Sequence, residues 1–267
     1  MSFRIMHHRY QVATIAIILP ATLLTNLGCQ RNHRFAACDE IEAAARMLTG
    51  PDAHKAIVTL RTHARSQDVF VRTRAVSTAG KFGPELNGVT RAQCMEIVGA
   101  ALRDPSGYVL HRATYDIGQF GLEARPYIET LLDISIGPHS TNAVFALESL
   151  GRIGVGQPEV GNRLIYAIAE QYPVAECEEY PYRFTSLRAL QSWGDKALPW
   201  LPQLRAIRDS FDAQRAEHQQ APTEQRDGPT LWAIRSRRTD ERLLTQVIEA
   251  LEGTDDKSLA APSETAD

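Results

Sequence analysis

A short pattern recurs four times along the middle of this chain: an alanine, four residues, a glycine, then a turn. It reads Ala75-Val-Ser-Thr-Ala-Gly80, Ala113-Thr-Tyr-Asp-Ile-Gly118, Ala146-Leu-Glu-Ser-Leu-Gly151 and Ala189-Leu-Gln-Ser-Trp-Gly194, with the glycines 38, 33 and 43 residues apart. A unit repeated at such intervals constrains the fold more than any composition, because each unit must bury its apolar face on a copy of itself. The residues before each glycine carry apolar side chains at helical spacing, as in Val109, Ala113 and Ile117. The small alanine lets a neighbouring helix come close. The glycine is expected to supply the positive-φ position that ends a helix. Asp104-Pro105 offers a helix start, with aspartate as N-cap and proline at the first helical position.

Behind each turn runs a second apolar stretch: 92–102, 127–134, 164–169 and 198–207. Two helices per unit without strand alternation predict an all-α chain, an α-solenoid. The run Asp104-Pro105-x-x-x-Val109-x-x-Arg112-Ala113-x-x-x-Ile117-Gly118-x-x-Gly121 resembles a HEAT repeat, in the short form shared with the phycobilisome-lyase repeat proteins. The resemblance covers residues 66–208, with 39–65 as a degenerate leading unit. It implies a right-handed superhelix of helical hairpins and says little about chemistry, because such repeats serve many functions. Phe145 replaces the arginine before alanine in the third copy, and the fourth lacks its second glycine. The resemblance also implies that Arg72, Arg74, Arg112 and Arg188 pair with helix-start acids such as Asp68 and Asp104, in place of forming an anion-binding row.

The first 28 residues differ from all that follow. Arg4 and Arg9 open a positive stretch without acids, and Val12 to Leu24 is apolar apart from Thr14, Thr22 and a central Pro20. This is the layout of a secretory signal; a spanning helix wants about 20 apolar residues. Leu27-Gly28-Cys29 resembles the bacterial lipobox, in which the cysteine is acylated and becomes the mature N-terminus, although Asn26 departs from the pattern. The resemblance implies lipidation at Cys29, and Gln30 after it favours the outer membrane. An uncleaved N-terminal anchor or a secreted form are the alternatives.

Segment by segment, the expected organisation is a lipoprotein-type signal over 1–28, a linker over 29–38 and the repeat array over 39–208. A helix end and polar loop follow over 209–239, then a capping helix over 240–252 and a disordered tail over 253–267. Loss of residues 1–28 would take the formal charge from -3 to -5, which does not suit a nucleic-acid binder. Cys38, Cys94 and Cys177 would remain, allowing at most one disulfide within a monomer. Cys94 lies among small apolar neighbours and reads as buried; Cys38 and Cys177 are the open pair.

Motifs for catalysis are missing from the sequence. The eight histidines include no His-Glu-x-x-His, there is no Cys-x-x-Cys, and His54 and His63 are too far apart for a local chelate. No metal or cofactor is expected. The richest surface candidate is aromatic: Tyr172, Tyr180, Tyr182 and Trp200 gather around a proline-flanked, acidic insertion at 172–182, while Phe184 and Trp193 read as core. The resulting expectation is a non-catalytic scaffold for a protein or peptide partner, held to a membrane through Cys29. A bilin-lyase-like enzyme and a self-associating structural protein are the alternatives.

Overall fold

The computed structural model describes residues 21–136, 141–169, 182–220 and 240–253, with side chains from residue 33 to 217 of these and throughout the last stretch. Among these residues the fold is all-α, without a strand. Ten helices run in chain order: α1 Ala21–Met47, α2 Ala53–His63, α3 Val69–Phe82, α4 Gly88–Ala101, α5 Gly107–Ile117, α6 Ile128–Ile136, α7 Thr141–Ile153, α8 Pro158–Ala169, α9 Tyr182–Trp193 and α10 Leu201–Gln220. An eleventh, α11, covers residues 240–253. Residues 29–38, expected as a linker, are helical and continue α1. Most of the expected signal, the 172–181 insertion, the 221–239 loop and the tail from 254 lie outside the described residues.

The helices form two layers. Each odd-numbered helix packs on the next odd one, from α1 through α3, α5 and α7 to α9. The even layer pairs α2 with α4, α6 with α8 and α8 with α10, and a 3-10 segment, Gly118–Tyr127, bridges α4 to α6. One continuous core fills the space between, with Ala75, Ala113, Ala146 and Leu190 from the odd layer and Leu60, Val98, Leu131 and Leu164 from the even layer, all fully buried. In α11, Leu244, Val247 and Ile248 are fully buried, and Arg205–Glu252 (2.9 Å) and Arg215–Glu241 ion pairs fasten the helix to α10.

The anchor glycines do something other than end helices. Gly80 and Gly151 lie inside α3 and α7, and Gly118 has a helical φ of -63°. Of the four, only Gly194 has a positive φ (55°). In the second unit the break falls three residues later, at Gly121 with φ 60° and ψ -141°. What the first three share is contact. A Cβ on Gly80 would overlap Asp116 of α5, one on Gly118 would fall 2.5 Å from Ser149 Oγ of α7, and one on Gly151 would overlap Ala189 of α9. The glycine is thus the notch into which the next odd helix fits. The approach is close enough for hydrogen bonds onto helix backbone: Ser149 Oγ donates to Thr114 O (2.6 Å) and Trp193 Nε1 to Gly151 O (2.6 Å).

The even layer uses glycine differently. Gly99 of α4 lies under the Tyr127 ring and Gly161 of α8 under Trp200, whose Nε1 donates to Asn162 Oδ1 (3.0 Å). Helix starts also depart from expectation. Asp68 caps α3 by accepting from Phe70 N (2.8 Å), but α5 starts only at Gly107, where Asp104 accepts from Ser106 N (2.8 Å) and Pro105 precedes the helix. Both aspartates are gripped from the preceding unit. Arg34 Nε binds Asp68 (2.8 Å), and Arg72 binds both Asp104 oxygens (2.8 and 3.0 Å) as well as Ser66 O and Gln67 O.

If contact is the reason for these glycines, Gly118→Ala costs about 1–3 kcal/mol through overpacking against Ser149, read as a lower denaturation midpoint. Gly107 has nothing within 4 Å of a built Cβ. Gly107→Ala therefore stays within about 0.5 kcal/mol of the parent or stabilises it slightly.

Candidate interaction surface

Two of the four aromatics expected at a partner surface are core residues. Tyr182, which opens α9, is 2% exposed, and Trp200 is 5% exposed, clamped over Gly161 and edge-on to Trp193 (centroids 5.5 Å). Neither offers a face to a partner. Tyr172 and Tyr180 lie outside the described residues. Phe184, expected in the core, is instead 43% exposed. Trp193 is buried, as is Cys94, whose thiol burial pushes up to about 11. Cys38 is half-buried, and both cysteines are free; Cys177 lies outside the described residues. Cys29 is placed only by its backbone, on α1.

The perturbed ionisable groups serve the stack. Asp116 is 1% exposed beneath Gly80; burial pushes its carboxyl up to about 6, and the Arg112 guanidinium 2.7 Å away offsets only part of that cost. Arg112 stands in the register of Arg74, 38 residues on, and pairs along its own helix; the register of Arg34 and Arg72 holds Leu110, so the Arg34–Asp68 and Arg72–Asp104 series does not continue into α5. Asp240, at the start of α11, is also pushed up to about 6 by burial, with Arg183 3.7 Å away. His111 is held below its usual range by burial and by Arg112, and stacks edge-on with Phe145 (4.7 Å), which Tyr115 also meets edge-on (5.4 Å). Among the described residues no group of three or more His, Cys, Asp or Glu side chains is placed to hold a metal ion.

Some of the exposed apolar side chains stand together on one edge. The even-to-odd connections and the first turns of α3 and α5 lie side by side, because the Arg34–Asp68 and Arg74–Glu42 (2.8 Å) pairs set α1 parallel to α3. On this edge Phe70 is 53% exposed and Tyr108 80%. The Arg34 guanidinium stands 5.5 Å above the Phe70 ring. Together with His33, Val69 and Thr73 these residues line a groove of about 690 Å³. Arg65 and Arg103, in the two connections, are exposed and make no ion pair among the described residues. The acids of the same edge, Asp68 and Asp104, are occupied by Arg34 and Arg72 and by backbone donors. Burial alone would raise both carboxyls, but these bonds bring them below the usual range.

The edge has a sequence signature that residue types alone did not expose. Arg65 and Phe70 stand in the first unit where Arg103 and Tyr108 stand in the second, 38 residues on, like Gly80 and Gly118. At the same register the third unit has Ile136, which is exposed, with Thr141, and the fourth has Glu179 with Phe184. The basic residue of this register is thus confined to the two units next to α1, while an exposed aromatic returns at Phe184. Compared with known proteins, the chain matches no family model and no curated sequence.

The buried acids set a pH dependence. Asp116 and Asp240 titrate near 6 when folded, against about 3.9 unfolded. The native state therefore binds more protons between those values, and stability rises as pH falls from 7 towards 4.5. Asp68 and Asp104, lowered in the fold, withdraw their contribution only as pH falls further, below the unfolded value. Denaturation midpoints should therefore be higher at pH 5 than at pH 7.5. Asp116→Asn should remove about 1–3 kcal/mol of that difference while keeping an oxygen for Arg112.

Proposed function

We propose that this protein is an exported α-solenoid of HEAT-like repeats, lipid-anchored through Cys29, that acts as a non-catalytic scaffold for protein partners at the cell envelope. The observation that carries the reading is the stacking of α3, α5, α7 and α9 through one glycine notch at each interface, Gly80, Gly118 and Gly151. A chain built this way has no closed end to its core; it gains length by adding units, and its product is an extended surface. Support for the scaffold reading comes from how the buried ionisable side chains are spent among the described residues: Arg72 pairs with Asp104 and Arg183 with Asp240 across helices, and Arg112 holds Asp116 beneath Gly80.

The address rests on Cys29. It follows an apolar run, and on α1 it lies five residues before Arg34, about 8 Å at helical rise. An acyl chain there contributes about 0.8 kcal/mol per buried CH₂, and a lipoprotein carries more than one chain. The outer ridge of the odd helices, where Arg74, His111, Tyr115 and Phe145 stand half-buried or exposed, supplies an amphipathic face of the kind protein partners use.

Fractionation of cells expressing the native chain and Cys29→Ser tests the anchor. The native chain is expected with membranes and the variant in the soluble fraction; identical fractionation would remove the case for acylation. Pull-down from solubilised membranes tests the scaffold: a stoichiometric partner whose recovery falls at least five-fold in Phe145→Asp supports it, an estimate from the energy of interface hot spots.

A further inference from the structure

We propose that the α1–α3–α5 edge is a lipid-contacting surface: Phe70 and Tyr108 seat at the water–bilayer interface while Arg65 and Arg103 meet anionic headgroups. This deepens the anchoring reading and rests on it.

Three observations point to a bilayer. First is position. Cys29 lies on the same continuous helix as His33, four residues before it and about 6 Å away along the axis, and His33 lines the groove over Phe70. An acyl group at Cys29 brings the membrane to this edge before any other part of the array. Second is chemistry. A pair of exposed rings beside arginines is the composition that settles at the headgroup level, where the ring buries and its polar rim stays wet. Third is charge. The edge acids Asp68 and Asp104 are already occupied, so the outward field belongs to Arg65 and Arg103. Each such arginine contributes about 1 kcal/mol near an anionic surface. Away from α1 the pattern ceases: the fourth unit has Glu179 in the register of Arg65 and Arg103.

An acidic, apolar protein segment would fit the same chemistry, and the groove over Phe70 could take one. Position decides for the lipid surface: the tether enforces its proximity, whereas a protein ligand would gain nothing from being placed beside Cys29.

The test uses the full chain, anchored in vesicles of phosphatidylethanolamine and phosphatidylglycerol that contain bromine-labelled lipid, with Tyr108→Trp as reporter. A control, Tyr166→Trp, places the reporter on α8, where Tyr166 is 58% exposed and off the edge. The expected result is blue-shifted, bromine-quenched emission from the reporter at 108 and none from that at 166, relative to the parent's own tryptophans. Arg65→Glu with Arg103→Glu should abolish the quenching, as should replacing phosphatidylglycerol by phosphatidylcholine. All four altered side chains are exposed, and an unchanged circular dichroism spectrum confirms the fold. Unquenched, solvent-like emission from anchored protein overturns the proposal, as does protection of the reporter at 108 only when a partner protein is added. Flotation of Cys29→Ser beside the native chain reads the anchor separately: a chain that floats through Cys29 yet shows no quenching retains the anchor and loses the edge.

Discussion

The close approach of one odd helix to the next is the constraint on which the rest depends. Gly80, Gly118 and Gly151 each present bare backbone to the following unit, and Asp116, Ser149 and Ala189 fill the space a Cβ would take. Only at this separation can Ser149 and Trp193 donate to carbonyls of the neighbouring helix. The core inherits the same spacing, since Ala75, Ala113 and Ala146 fit between layers already drawn together. Glycine inside a helix costs roughly 0.5–1 kcal/mol against alanine. That cost is offset because the contact it permits is one the stack cannot make any other way.

Electrostatics follows from the same geometry. Parallel odd helices bring each helix start beside that of the next unit, so an arginine in one unit can hold the capping aspartate of the following one. Arg72–Asp104 does this at a half-buried site with a two-pronged bond, which is worth more than an exposed, single contact such as Arg34–Asp68. The series ends at α5, where Leu110 stands in the register of Arg34 and Arg72. Arg112 binds Asp116, which sits in the glycine notch, and a buried carboxyl near pKa 6 results.

The all-α class was legible because periodicity of apolar residues survives any detail of packing. The role of the anchor glycine was not. A glycine that ends a helix and one that admits a neighbour look alike in a single chain, and only contact with the next unit separates them. The aromatics failed for a related reason. Proline-flanked Tyr182 and Trp200 suggested a surface, but Gly161 had removed the side chain that would have kept Trp200 out of the core. Phe184 erred the other way: it occupies the register of Phe70 and Tyr108, and that register faces outward. Position within the unit, and not residue type, decided each case.

Register is therefore the coordinate in which function is written on such a chain. Every unit sends its equivalent positions to the same edge, so a property becomes local along the array only through departures from the repeat. The basic and aromatic positions recur once, 38 residues apart, and then give way to Ile136 and Thr141 and to Glu179 and Phe184, while the glycines and alanines beneath them continue. Packing positions recur because every interface needs them; edge positions vary because no interface does. A chemistry that appears on the edge of only the two units beside α1 is not required by the stack, and its cause has to lie outside the stack, in whatever that end of the array is held against.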